Sequence, residues 1–269
     1  MLYPRKSPVW LAAQWPNERV IGVDHDASCP VSEFMSRESP GLLAFVRGFV
    51  LPRAIVQGQC RPQSSMEEKA NSLSHGFGLL LALGAAPVLL VAAACQGDAL
   101  NVVGAGVFTA TMVLLYLSST IYHALPPGRA KRLSAKLDHG AIYLFIAGSY
   151  TPFALGALNG VWGWTLFGLV WGLAAMGLTL KAFDRLSHPL LSTGLYLAMG
   201  WLVVIAAGPL LERVASAGVA LLVAGGIAYT VGVAFYLTDE RVNFGHFIWH
   251  LFVIVGTIFH YFAVLWYSA

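Results

Sequence analysis

Charge is what this sequence has least of. Only 11% of its 269 residues are Asp, Glu, Lys or Arg, against 57% apolar, where a soluble domain has about a quarter charged. That shortage excludes a water-soluble globular enzyme and puts the chain in a bilayer. Cysteine is scarce too: Cys29, Cys60 and Cys95 lack metal-ligand spacing and cannot all pair, so neither a disulfide framework nor a cysteine metal site follows. The net charge is +3 and the basic residues are scattered, which is a topology signal and not a nucleic-acid footprint. At about 20 apolar residues per crossing, the length holds at most seven or eight helices. It leaves no room for a large extramembrane enzyme domain, so any chemistry has to be built between the helices.

Residues 1–65 lack an apolar run of spanning length, yet hold seven of the thirteen prolines and seven of the sixteen Lys and Arg. Arg5 and Lys6 are followed by only five apolar residues, too few for a signal-peptide core. The one pattern there is Leu42, Phe45, Val46, Phe49 and Val50 on a single helical face beside Arg47, suited to lying on a membrane surface. The segment reads as a disordered, dispensable extension, with Met66 opening a self-contained unit that runs to residue 269.

Apolar runs then follow in series, at about 71–95, 99–125, 138–157, 160–181, 189–208, 215–237 and 244–267. Short polar or proline-bearing turns separate them, as at Gln96-Gly97-Asp98 and Pro126-Pro127-Gly128. The expected fold is an all-α, seven-transmembrane helix bundle. Alternate loops carry Lys69, then Arg129, Lys131, Arg132 and Lys136, then Lys181 and Arg185, then Arg241, while the opposite side has only Arg213. The positive-inside rule therefore sets the amino terminus in the cytoplasm and the carboxyl terminus outside. Glycines such as Gly104, Gly106, Gly225 and Gly226 permit close helix contact, which lipid does not otherwise drive.

Ionisable residues within spans are costly and are functional candidates. Ser119 and His123 lie four apart near the end of span two, Asp138-His139 opens span three, and His246 and His250, again four apart, open span seven. In the expected topology all of these share the cytoplasmic side, within about 10 Å of one face. Three neutral imidazoles suit a tetrahedral Zn²⁺ with a fourth position open to water, as catalytic sites have. Asp138 would serve as a general base through that water. Bland alternatives stand beside this: Asp138 capping its helix, Ser119 bonding back to its own helix, and a pair spaced like His246 and His250 without metal. His75, His188 and His260, taken singly, read as satisfied interfacial side chains. His260 lies ten residues beyond His250, about 15 Å deeper, too far to share the ion.

Several stretches carry a resemblance: Glu67-Glu68-Lys69-Ala70-Asn71-Ser72-Leu73-Ser74-His75-Gly76, the run from Ser119 to His123, Leu137-Asp138-His139-Gly140-Ala141-Ile142-Tyr143 continuing from Ala147 to Phe153, and the run from His246 to His250. In order and spacing, residues 66–269 resemble the bacterial hemolysin III family, which belongs with the progestin and adiponectin receptor (PAQR) proteins and, more distantly, the alkaline ceramidases. The resemblance implies a seven-helix bundle in the bacterial inner membrane, with His123, His246 and His250 as zinc ligands. It further implies that Asp138 contacts the water on zinc and that Ser119 is a nearby hydroxyl. His75 matches a family position without a role to transfer, and relatives are described variously as lipid amide hydrolases, receptors, hemolysins and regulators of membrane composition.

The expected function is a zinc-dependent hydrolase of membrane lipid amides or esters, ceramidase-like and involved in lipid homeostasis, with Asp138 and Ser119 catalytic. Its partners are membrane lipids, not nucleic acid. The alternatives are a non-enzymatic membrane sensor or regulator, whose zinc ties spans two, three and seven together, and a hemolysin-type pore. Conduction ranks last, because the ionisable cluster stops at one face.

Overall fold

The computed structural model describes residues 61–186 and 189–268. His188, Cys29, Cys60 and the amphipathic pattern at 42–50 lie outside them. Among the described residues every regular element is helical. In chain order these are α1 (Ser65–Gln96), α2 (Ala99–Ala124), α3 (Arg129–Leu155), α4 (Val161–Ala182), α5 (Pro189–Gly200), a 3₁₀ turn (Leu202–Ala206), α6 (Ala207–Arg213), α7 (Ser216–Tyr236) and α8 (Gly245–Tyr267).

Local sequence sets the boundaries. Ser64 and Glu67 form a capping box at the start of α1, and Asp98 and Asn101 form another at the start of α2. Pro126 and Pro127 follow the end of α2, where the Lys131 ammonium covers the freed carbonyls of Tyr122 (3.1 Å) and Leu125 (3.2 Å). The third element departs from the expected opening at 138. It begins at Arg129, so Arg129, Lys131, Arg132 and Lys136 belong to a helix and not to a loop. Asp138 therefore lies well inside α3 and does not cap it.

Among the described residues six segments are long and apolar enough to cross a bilayer: α1, α2, α4, the composite Leu190–Arg213, α7 and α8. The expected count was seven, and the segment falling short of that apolarity is α3. Its position accounts for the difference, since α3 packs against α2, α4, α5 and α8 and buries Tyr143 and Ala147 completely. A helix surrounded by others need not be apolar all round, and it can carry Asp138 and His139. The composite segment breaks after Gly200, where the Tyr150 hydroxyl reaches the carbonyls of Met199 (2.9 Å) and Gly200 (2.8 Å) and accepts from the Val203 N–H (2.9 Å). One side chain thus satisfies the backbone groups that the break exposes.

Successive helices pack side by side and α8 returns against α1. Two glycines make this closeness possible. A Cβ at Gly104 would stand 2.8 Å from Cα of Pro152, joining α2 to α3, and one at Gly225 would meet the His260 ring and the Gly256 carbonyl, joining α7 to α8. The outer surface is apolar, with Leu73, Phe77 and Leu80 of α1 and Val161 and Trp164 of α4 exposed. Such a coat suits hydrocarbon, not water.

Candidate metal centre

His123 is the last residue but one of α2, and His246 and His250 occupy the first two turns of α8. One ring nitrogen from each lies within 4.8 Å of those of the other two. His123 and His250 are buried, and the three ring centroids are 4.7 to 5.0 Å apart. The i, i+4 spacing puts the α8 pair on one face, and the packing of the bundle brings His123 to them.

The second nitrogen of each imidazole is engaged. Nδ1 of His123 faces Glu68 Oε2 at 2.8 Å, Nδ1 of His246 faces Asp239 Oδ2 at 2.7 Å, and Nδ1 of His250 faces the Asn71 carbonyl at 3.1 Å and Ser74 Oγ at 3.0 Å. A carboxylate and a carbonyl can only accept, so each Nδ1 carries the proton and each Nε2 is left with a lone pair. Nε2 of His123 is buried without a hydrogen-bond partner, an uncommon and costly condition for a polar atom. Three lone pairs aimed together, each braced from behind by an acceptor, fit a metal ion bound by neutral imidazoles. The donor set suits Zn²⁺.

Sequence reasoning found the three imidazoles and missed what braces them. Glu68, Asn71 and Ser74 come from α1 and Asp239 from the turn before α8. Glu68 also receives Lys131 Nζ at 3.0 Å, so this carboxylate has two cationic or donor neighbours. A carboxylate in the first turn of a span is a signal that could have marked Glu68; Asp239 had none beyond lying seven residues ahead of His246.

Ser119 and Asp138 are both buried and line the same cavity. Together with His75 and His250 they form the polar end of a cavity that is partly open to its surroundings. Beyond that end the walls turn apolar, with Ile142, Phe145, Val233 and Val253. A second cavity shares Tyr150, Gly200, Trp201 and His260 with the first and continues to Leu158, Leu166 and Leu210. His75 stacks on His250 with centroids 3.5 Å apart and planes 9° from parallel, and neither of its ring nitrogens has a partner. It is therefore a wall of the cavity, not a satisfied interfacial side chain. His260 lies away from the cluster, bonded to the Leu222 carbonyl at 3.2 Å, and the half-buried His139 is not among the three converging residues.

Fold and site together define a helical membrane bundle with a three-histidine cluster, one member of which, His250, lines an internal, largely apolar cavity. Comparison with known proteins gives the family. A family model described as Haemolysin-III related matches residues 63–261. The chain is 45% identical over 201 residues to the Hemolysin-3 homolog of Bacillus subtilis (strain 168), covering 75% of this chain and 94% of that protein. It is 44% identical over 201 residues to Hemolysin-3 of Bacillus cereus, covering 75% and 91%. Human Monocyte to macrophage differentiation factor is 26% identical over 225 residues, covering 80% and 90%. The chain belongs to the hemolysin III family and is a multi-pass integral membrane protein of the bacterial plasma membrane.

Proposed function

We propose that this protein is a seven-span zinc-dependent hydrolase of membrane lipid amides or esters, with its histidine cluster at the cytoplasmic face. The observation that carries this reading is the junction of two features: a three-imidazole cluster, and a long apolar cavity whose polar end holds Asp138, Ser119 and His250. From Asp138 to Phe153, which lines the second cavity, fifteen residues of α3 extend about 22 Å. That depth accommodates hydrocarbon chains, and the polar end accommodates the amide or ester that joins them to a headgroup.

His123, His246 and His250 would hold the zinc ion, which when bound supplies a Lewis acid to polarise a carbonyl and acidify water. Asp138, buried in the cavity wall with Ser119, takes the proton of the attacking water as its oxygen joins the acyl carbon. It then returns that proton to the departing nitrogen or oxygen as the bond to carbon breaks. Ser119 can turn its hydroxyl toward the oxygen on which charge develops.

The test uses purified protein with measured zinc. Asp138→Asn should retain the metal while release of fatty acid from a supplied ceramide falls by about 10²-fold or more. Should wild-type protein with full zinc hydrolyse no lipid amide or ester, the sensor reading replaces this one. That reading is favoured by a separate feature: the partners of the three histidines come from α1 and from the turn before α8, so an ion there would fasten several helices together. A conducting pore is disfavoured, since Phe153, Leu158, Leu166 and Leu210 line the far cavity.

A further inference from the structure

The expected boundary at Met66 moves: residues 61–64, counted from the sequence as part of a disordered, dispensable extension, make a dense set of bonds to α1 and to the α7–α8 turn. The Arg61 guanidinium forks onto Glu67, Nη1 to Oε2 at 2.6 Å and Nη2 to Oε1 at 2.5 Å, and Nη2 also donates to the Val242 carbonyl at 3.2 Å. The Arg61 N–H donates to the Glu240 carbonyl at 3.0 Å. Glu67 Oε1 accepts from the Phe244 N–H at 2.7 Å. Phe244 has a φ of 58°, a left-handed conformation unfavourable for a side chain of this size, so the Glu67 bond holds the α7–α8 turn in a shape it would not favour alone.

Gln63 links that turn to the metal centre. Its Nε2 donates to Asp239 Oδ2 at 3.3 Å, and the same oxygen faces His246 Nδ1 at 2.7 Å. Its Oε1 accepts from Asn71 Nδ2 at 2.7 Å, which fixes the direction of the amide. The Asn71 backbone carbonyl in turn accepts from His250 Nδ1. One residue of α1 therefore braces both α8 histidines, His250 directly and His246 through Gln63 and Asp239.

We propose that residues 61–64 are a clasp that fixes the α7–α8 turn and orients His246 through Gln63 and Asp239, so that metal retention depends on residues ahead of the first span. The proposal rests on the metal reading above. Gln63 and Arg61 are positioning residues: they touch neither the ion nor a substrate, and act by limiting how far Asp239 and its turn can move.

The experiment uses the full chain loaded with Zn²⁺, follows metal release to a chelator, and records the visible spectrum of the Co²⁺-substituted protein. Gln63→Ala removes one bond to Asp239, and its net worth corresponds to metal release about two- to tenfold faster. The cobalt bands should shift as His246 gains freedom. Arg61→Ala should act in the same direction and Arg61→Lys, which keeps the charge but not the fork, should recover part of the loss. If Arg61→Ala fails to fold, Gln63→Ala leaves the Arg61–Glu67 pair intact and carries the test. Wild-type release rates and cobalt spectra in both alanine variants would overturn the clasp alone. A wild-type protein that holds no stoichiometric metal would instead overturn the metal reading on which the clasp depends.

Discussion

At the scale of single residues, the centre divides into ligands that sequence reveals and braces that it hides. His246 and His250 are visible because their spacing is local, and His123 because a histidine near the end of an apolar run is conspicuous. Glu68 meets His123 across 55 residues of sequence, and Asn71 meets His250 across 179; no periodicity connects such pairs, and only the packing of α1 against α2 and the return of α8 against α1 bring them together. The braces make a prediction separate from turnover. Asp239→Asn and Glu68→Gln keep the size of each side chain and an acceptor oxygen, but remove the charge that raises the basicity of the imidazole behind the metal. Each should weaken zinc binding by about 10- to 100-fold in chelator competition. His260→Ala should leave it unchanged, because His260 bonds to Leu222 and is not part of the cluster. Wild-type affinity in both carboxylate variants would reduce Glu68 and Asp239 to hydrogen-bond acceptors without influence on the ion.

At the scale of helices, polar punctuation reports where apolar runs stop but not where helices start. Pro126 and Pro127 mark the end of α2 correctly, whereas the basic run from Arg129 to Lys136 reads as a loop because it is not apolar. It is helical because nothing in it breaks a helix and because Lys131 and Lys136 find partners in Glu68 and Asp184. Glycine content likewise shows that helices approach closely without showing which glycines are required. The surroundings of each one separate them. A side chain at Gly104 would collide with the backbone of Pro152, whereas a methyl group at Gly84 would have open space for 4 Å around it. Gly104→Leu should therefore push α2 from α3 and lower stability by about 1–3 kcal/mol or more. Gly84→Ala should be neutral or stabilising by up to about 1 kcal/mol, through helix propensity. Unfolding in detergent by heat or denaturant measures both, and equal effects would mean that the α2–α3 contact is not limiting.

At the scale of the whole molecule, the open matter is whether α3 crosses the membrane, because its crossing makes the count odd and separates the two termini. Hydropathy alone argues against it, since only the other six segments are apolar enough. Position argues for it. A third of the way along α3, Asp138 lines the main cavity together with His250 of α8, and just past the end of α3 the Ala157 N–H donates to the carbonyl of Ser268, beyond the end of α8, at 2.8 Å. From Asp138 onward α3 therefore spans the same depth as α8, and α8 is one of the six. Enclosure by α2, α4, α5 and α8 removes the need for an apolar surface all round, and α3 can carry Asp138 where a lipid-facing helix could not. With seven crossings, nine of the described Lys and Arg, Arg61 among them, fall at the histidine end and Arg213 alone at the other, and the positive-inside rule would then set the histidine end in the cytoplasm. A periplasm-dependent reporter fused after Ala269 should accordingly be active, and a cytoplasm-dependent reporter at the same junction silent. The reverse pattern would mean that α3 does not cross or that the bundle is inverted. A second fusion in the α1–α2 turn, after Gly97, separates these: an upright bundle puts that junction outside whether or not α3 crosses, whereas an inverted bundle puts it inside.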